Sequence, residues 1–280
     1  MVTKKSFGSY GVWLMEDAWV PGTAAVAERL GYQTLWIGGS PAAPLETALH
    51  VLNETERVIV ATGIVNIWQD DPVDIADAHL RISEEHPGRF VLGIGSGHRE
   101  ATPERVRPLA ALQEYLEALD IAGIPQDELL LAALGDRTLS LAAERSIGAH
   151  PYLTVPEHTA HARSVIGPDA LLAPELKVSL DDDQDTARAR ARATLERYFR
   201  LENYVGVLRR FGISEEEFAD GGSDDLIDRV AANHTAEAAA IGVQAHLDAG
   251  ADHVGIQPLG PDPLLTLERV ADALGLTQEV

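Results

Sequence analysis

The chain has no cysteine, and this absence excludes three kinds of chemistry. Disulfide bonds, thiolate nucleophiles and cysteine-ligated metals all require that residue. Basic residues are also scarce, since 22 lysines and arginines stand against 44 acidic residues. The resulting formal charge of −22 repels nucleic acid and anionic membranes. We therefore expect neither of them as a partner.

Long apolar runs are lacking as well. Lys4 and Lys5 are not followed by the apolar segment of a secretion signal, and no run approaches the ~18 residues of a membrane span. We therefore expect a cytoplasmic protein. The chain does have a globular composition, because 45% of its 280 residues are hydrophobic and a chain of this length buries a large core.

Short apolar, β-branched runs alternate with segments of helical periodicity along the chain. Eight runs are predicted as strands: Tyr10–Leu14, Thr34–Ile37, Val58–Thr62, Phe90–Ile94, Leu129–Ala133, Ala149–Leu153, Leu176–Leu180 and His253–Gln257. Helix is predicted after each, including a helix from Pro72 to Glu85, a long helix from Asp185 to Arg210 and further helix up to Ala249. This alternation predicts one (β/α)8 TIM barrel domain over residues 1–280, with an insertion between strands seven and eight. A doubly wound open sheet is the competing architecture.

In such a barrel the chemistry lies at the mouth, the opening bordered by the loops that follow the strands. The third predicted strand continues into Gly63, Ile64, Val65 and Asn66, and stays apolar beyond a normal strand length. Glycine there indicates either a β-bulge at the rim or a strained backbone that supports a flat cofactor ring.

The fourth strand ends in Gly95, Ser96, Gly97 and His98. Alternating glycines let the backbone approach a ligand closely, although their spacing is not that of a dinucleotide-binding fingerprint. His98 occupies a position that suits a residue facing the mouth, where an imidazole exchanges protons near neutral pH. A histidine on a surface loop is the other interpretation.

The fifth strand leads through Leu134, Gly135, Asp136 and Arg137 into a helix. Free N–H groups at a helix start, approached through glycine and flanked by Arg137, predict an anion site. Capping of that helix by Asp136 is the simpler interpretation, and both are compatible.

Two histidines of a later helix, His158 and His161, are spaced for one helix face. They lack a third metal ligand, so we interpret them as part of a solvated face.

At the third, fourth and fifth strand ends the sequence resembles the bacterial luciferase-like superfamily, specifically its coenzyme F420-dependent oxidoreductases. The similar segments are Ala61–Ile67, Pro87–Gly95, Leu131–Gly135 and Gly250–Val254. The resemblance implies a β/α barrel, usually dimeric, with a deazaflavin or flavin in its mouth. It also implies a non-proline cis peptide at Gly63-Ile64 beside the ring, and a phosphate-binding turn at Gly135.

The chain departs from those relatives at two positions near the cofactor. Where enzymes that oxidise sugar phosphates or alcohols tend to carry an Asp-His pair after strand two, this chain has Gly38, Gly39 and Ser40. Some of those enzymes have a glutamate at the position of His98. Ser40 with His98 is therefore our candidate replacement for the proton-transfer pair, and Gly39 borders the expected cofactor site.

The expected function is hydride transfer between F420 and a small organic substrate. One alternative is an FMN-dependent luciferase-like monooxygenase, and another is a flavin or deazaflavin binder that has lost its acid–base residues. A further alternative is a phosphate-binding barrel lyase or isomerase that uses Lys177, the only lysine after Lys5. A homodimer is expected from the resemblance alone.

Overall fold

Strands and helices alternate through a computed structural model that describes residues 2–97 and 107–278. The strand segments are β1 (Tyr10–Met15), β2 (Thr34–Gly38), β3 (Ile59–Gly63), β4 (Val65–Asn66), β5 (Phe90–Gly95), β6 (Leu129–Leu131), β7 (Gly148–Ala149), β8 (Leu171–Leu172), β9 (Glu175–Leu180), β10 (Ala231–His234) and β11 (Val254–Pro258).

Helices cover the outside of the sheet. They are α1 (Thr23–Arg29), α2 (Glu46–Asn53), α3 (Pro72–Glu85), α4 (Pro108–Ala122), α5 (Asp136–Arg145), α6 (Pro156–Ile166), α7 (Gln184–Leu195), α8 (Glu202–Arg210), α9 (Asp224–Val230), α10 (Ala236–Asp248) and α11 (Pro263–Ala273). Short 3-10 helices include Glu16–Ala18, Gln126–Glu128 and Tyr198–Arg200. None of the helices between residues 2 and 97 or between 107 and 278 is long and apolar enough to cross a membrane.

All strand pairs are parallel, in the order β10-β9-β11-β1-β2-β3-β5-β6-β7-β8, and β4 pairs with β5. The last strand lies beside the first, which is the winding of a β/α barrel and differs from that of a doubly wound sheet. Hydrogen bonds connect the β7–β8 end of this order with β9 and β11, because Leu172 O of β8 accepts from Asp252 N, shortly before β11, and Pro151 O, after β7, accepts from Glu175 N of β9. The result is a curled, barrel-like parallel sheet.

Alternate side chains of each strand face opposite sides of this curled sheet. In β1, Val12 and Leu14 pack into the layer between sheet and helices. Trp13 instead joins Trp36 and Val91 in a separate inner cluster. The inner face is therefore filled by large side chains.

A third apolar cluster lies beyond the strand ends, where α7, α8 and α9 form a unit that we call the helical cap (residues 184–230). Leu195, Leu208 and Leu226 of the cap pack together with Leu153 and Leu259, which follow β7 and β11. The cap thus covers the carboxyl end of this part of the sheet.

Several predicted elements are present with nearly the predicted bounds. Helix α3 begins where the sequence indicates, because Asp71 accepts a hydrogen bond from Val73 N and Pro72 occupies the first helical position. The predicted strand Ala149–Leu153 is wrong in length. Only two residues pair, since Pro151 has no N–H and Leu153 has a left-handed φ of 55°.

The region after β9 differs most from the prediction. The predicted helix from Asp185 to Arg210 is divided into α7 and α8 by a 3-10 turn, and β10 interrupts the helix predicted up to Ala249. Ala231 and Ala232 favour helix locally, but pairing with β9 overrides that preference. Because an additional strand lies in this region, the position of the insertion relative to barrel strands seven and eight stays a prediction.

Candidate functional site

The predicted glycine-containing strand ends lie side by side at the carboxyl edge of the sheet. Gly38 of β2 is the register partner of Gly63 of β3, and Asn66 of β4 is the partner of Gly95 of β5. Parallel strands end at the same edge, so these segments border one mouth. The structure therefore brings together the strand ends that the sequence singled out.

The two predicted catalytic residues have different outcomes. Ser40 is half-buried and has a left-handed φ of 60°, directly after Gly39 with a φ of 88°. His98 lies outside the described residues. The pairing of Ser40 with His98 stays a prediction.

The peptide bond between Gly63 and Ile64 is cis, as the resemblance implied. Both residues are half-buried, so a ligand in the mouth has access to them. Thr62 ties this bend to the next strand, because its hydroxyl donates to Gly93 O and accepts from Gly93 N, both at 2.8 Å. A Cβ on Gly93 would lie 2.0 Å from Thr62 O, so only glycine permits this close approach.

Trp13 fills the space on the inner side of Gly63. A Cβ on Gly63 would lie 2.6 Å from Trp13 Nε1, and a Cβ on Gly38 would lie 2.0 Å from Trp13 Cη2. The backbone at Gly38 and Gly63 therefore packs directly against the indole of Trp13, which is only 3% exposed.

Two buried polar atoms beside Gly63, Trp13 Nε1 and His150 Nε2, have no hydrogen-bond partner among the residues that the structure describes. The second lies 3.4 Å from the position of a Cβ on Gly63. His150 Nδ1 donates to Ala173 O at 2.6 Å, so Nε2 carries a lone pair. An unpaired donor and an unpaired acceptor thus adjoin the same glycine at the base of the mouth.

Below this level the interior is a column of neutral aromatic rings. Trp36 stacks on His150 with centroids 4.2 Å apart, and its Nε1 donates to His253 Nε2 at 3.0 Å. His253 Nδ1 donates to Gly8 O at 2.8 Å. Burial lowers the pKa of His150 and of His253 to about 4, so both are uncharged at neutral pH.

A buried ion pair lies on the inner face of β9. Lys177 Nζ is 3.0 Å from each carboxylate oxygen of Glu175, and the two side chains are 0% and 1% exposed. Burial raises the pKa of Glu175, and the Lys177 ammonium opposes that rise. Leu153 N also donates to Glu175, at 3.2 Å.

Tyr152 connects this ion pair to the mouth. Lys177 Nζ lies 3.8 Å from the centroid of its ring, and the indole of Trp13 packs against it with centroids 5.3 Å apart. The Tyr152 hydroxyl donates to Gln257 Oε1 at 2.9 Å and lies 3.1 Å from the hydroxyl of Tyr198, in the helical cap.

This tyrosine–lysine cluster was not among the predicted site residues. Part of the signal was present, because Lys177 lies in the predicted strand Leu176–Leu180 and Glu175, two positions earlier, directly precedes that strand. No local sequence pattern indicated that Tyr198 belongs to the cluster. It lies within the helix predicted from Asp185 to Arg210, and that prediction does not place its side chain toward the sheet.

The predicted anion site at the start of α5 has an open approach. Within residues 2–97 and 107–278, no side chain caps the helix at Gly135, and a Cβ there would have nothing within 4 Å. Arg137 is exposed. Capping by Asp136 is wrong, because its carboxylate instead accepts from Arg210 at 3.0 and 3.1 Å and contacts His161 Nε2 at 2.8 Å. These hydrogen bonds lower the pKa of Asp136 to about 2.

The interpretation of the α6 histidines as a solvated face is wrong for one of them. His158 is fully buried, and its Nε2 donates to Leu134 O at 2.9 Å. It therefore supports the turn before Gly135. Among the described residues, no group of three or more histidines and carboxylates is arranged to hold a metal ion.

Three solved structures share this fold over nearly their whole length. A coenzyme F420-dependent tetrahydromethanopterin reductase from Methanopyrus kandleri has a TM-score of 0.76 and 19% identity, over 95% of this chain and 98% of that chain. An F420-dependent secondary alcohol dehydrogenase in complex with an F420–acetone adduct has a TM-score of 0.75 and 16% identity, over 96% and 99%. The oxygenating constituent of 3,6-diketocamphane monooxygenase from Pseudomonas putida, in complex with FMN, has a TM-score of 0.69 and 14% identity, over 95% and 98%.

At these identities the likeness establishes the fold alone. No curated protein matches the sequence. The family model described as luciferase-like monooxygenase matches residues 19–250, which is more than half of the chain. The chain therefore belongs to the luciferase-like monooxygenase family.

Proposed function

We propose that the protein is an F420-dependent oxidoreductase, which transfers a hydride between the deazaflavin and a small organic substrate at the mouth. The observation that carries this proposal is the uncapped start of α5 at Gly135, open to solvent at the sheet edge that also holds Gly63. A phosphate at a helix N-terminus is stabilised by free N–H groups and by the helix dipole. Arg137 adds a positive charge beside it.

The other residues of the mouth fit a flat ring with polar edges. Gly63 and Ile64 are accessible, and beneath them Trp13 Nε1 and His150 Nε2 are a buried donor and acceptor that are unpaired within the described part of the chain. The proposed binding set from the sequence adds Gly39, Val65, Asn66, Gly95, Ser96, Gly97, Leu134 and Asp136. When bound, F420 supplies a deazaflavin carbon that carries a hydride. The protein's task is to hold, orient and shield that carbon.

F420 is preferred to FMN on two grounds. The strand-end segments of the sequence resemble F420-dependent oxidoreductases in particular, and the two F420-dependent structures have TM-scores of 0.76 and 0.75 against 0.69 for the FMN complex. An FMN-dependent monooxygenase is the second candidate, because the family description itself names monooxygenases.

The proposal extends to architecture and assembly. We infer that residues 1–280 form one closed (β/α)8 domain, that the chain between β9 and β11 contains its insertion, and that the protein works as a cytoplasmic homodimer. Size-exclusion chromatography with light scattering tests the last point, since a monomer at micromolar concentration contradicts it.

Titration of the purified protein with F420 and, separately, with FMN tests the choice of cofactor. We expect F420 fluorescence to change saturably and FMN fluorescence to change little at the same concentrations. The matched variant is Arg137→Gln, which removes the positive charge beside Gly135 and is expected to weaken F420 binding. Tight FMN binding without a response to F420 contradicts the proposal.

A further inference from the structure

We propose that the Tyr152 hydroxyl is the proton-transfer group of this site, with Tyr198 as its connection to solvent and the Lys177–Glu175 pair as its support. The inference rests on the proposed function and deepens it. Reduction by a hydride also requires a proton. The inference assigns the source of this proton to residues that lie together in the described part of the chain.

The hydrogen bonds of the two tyrosines run in a single direction. Arg197 Nη2 donates to the Tyr198 hydroxyl at 2.7 Å, and a guanidinium has no acceptor. Tyr198 therefore has its own proton free for Tyr152, 3.1 Å away. Tyr152 in turn donates to Gln257 Oε1 at 2.9 Å. This chain of donors leads from the exposed Arg197 to Gln257, which is only 6% exposed.

The position of Tyr152 suits contact with a substrate. Its ring packs against Trp13, which itself covers the inner side of Gly63. The residue is half-buried as a whole, and its hydroxyl is held between Gln257 Oε1 and the Tyr198 hydroxyl. A substrate carbonyl oxygen that takes the place of Gln257 Oε1 is an equivalent acceptor for the Tyr152 hydroxyl proton.

The phenol is in its protonated form at neutral pH. Burial raises the pKa of Tyr152 well above its usual value, and the Glu175 carboxylate adds to that rise. A group in this state donates a proton or a hydrogen bond and does not act as a resting base. The residue is therefore suited to the reduction of a carbonyl group.

The Lys177–Glu175 pair holds the ring in place. Lys177 Nζ lies over the Tyr152 ring at 3.8 Å, a geometry favourable for a cation–π interaction. Two hydrogen bonds of 3.0 Å to Glu175 prevent the ammonium from turning away. Lys177 and Glu175 are thus positioning residues.

In the reducing direction, reduced F420 would supply the hydride that the carbonyl carbon of the substrate gains, while the carbonyl oxygen gains the Tyr152 proton. Tyr152 recovers a proton from Tyr198, and Tyr198 recovers one from water. The C=O bond becomes a CH–OH group, and the hydride accounts for both electrons. The substrate class that fits is a small ketone or aldehyde with an apolar or aromatic body, because Trp13 and the tyrosines line this part of the mouth.

The first test needs no cofactor. The exchange of the Tyr152 hydroxyl proton with deuterated water is measured by NMR on protein labelled with 13C in its tyrosines, and Tyr152→Phe assigns the signal. In Tyr198→Phe the exchange is expected to slow by at least about fivefold, because the path to solvent is broken. Tyr115→Phe is the control, since it removes a hydroxyl that contacts Asp70 O on another side of the sheet. An unchanged rate in Tyr198→Phe overturns the relay.

The second test uses reduced F420 with simple ketones and aldehydes and compares kcat with the F420 dissociation constant. Tyr152→Phe keeps the ring over Lys177, so F420 affinity is expected to stay unchanged while kcat falls by about 10²–10⁴-fold. Wild-type kcat in Tyr152→Phe overturns the assignment. If the wild-type protein binds no F420, the proposed function is wrong but the proton relay is not yet tested by kinetics. The hydroxyl-exchange experiment alone then tests the relay.

Discussion

Mild acid is expected to unfold this protein through three buried histidines, His150, His246 and His253. They are 2%, 1% and 0% exposed, and burial lowers the pKa of each to about 4 from an ordinary 6.5. The unfolded chain therefore binds protons more readily than the folded protein. The stability that these groups contribute is fully present above about pH 6.5 and is lost as the pH falls toward 4.

The size of the effect follows from these pKa values. At pH 5 an unfolded histidine with a pKa of 6.5 is almost fully protonated, while a folded one with a pKa of about 4 is not. The difference amounts to about 2 kcal/mol for each residue and about 6 kcal/mol for the three together, relative to pH 8. This is comparable with the whole stability of a typical domain, about 5–15 kcal/mol.

Urea unfolding at pH 8, 7, 6 and 5, followed by circular dichroism, measures this loss. The steepest decline is expected between pH 6.5 and 5. His246→Asn provides a matched variant, because the amide replaces the Nδ1 partner of Thr159, 2.8 Å away, without a titrating ring. Its decline is expected to be about one third smaller than that of the wild type. A stability that stays level from pH 8 to pH 5 refutes the reasoning.

Two further substitutions test the packing of the site by urea unfolding. Lys177→Met leaves the Glu175 carboxylate buried without its cationic partner and is expected to cost about 3–5 kcal/mol, whereas Lys177→Met with Glu175→Leu is expected to cost less. Equal losses contradict this interpretation of the pair. Gly93→Ala forces a Cβ against Thr62 O and is expected to cost about 1–3 kcal/mol or more, while Gly135→Ala, which enters open space, leaves stability nearly unchanged.

The sequence was most informative where local signals and the fold agree. Helix α3 was predicted with both of its ends, because Asp71 and Pro72 form a start signal that acts within a few residues. The strand ends at Gly63 and Gly95 were located for a similar reason, because glycines within apolar runs can be recognised from the sequence without knowledge of the fold.

The tyrosine–lysine cluster depends on contacts that no local pattern encodes. Tyr152 and Tyr198 are 46 positions apart, and Tyr152 and Gln257 are 105 apart. Their meeting depends on the curl of the sheet, which places the chain after β7 beside β9, and β9 beside β11. It also depends on the turn at Tyr198–Arg200, where the predicted helix is interrupted and the side chain is directed toward Tyr152.

We propose that a deazaflavin binds at the edge formed by Gly39, Gly63, Ser96 and Gly135. A crystal of the protein soaked with F420 tests this proposal most directly. We expect electron density for the ring against Gly63, with the phosphate at the start of α5. Density for F420 at another place on the molecule, or an empty mouth at saturating F420, contradicts it.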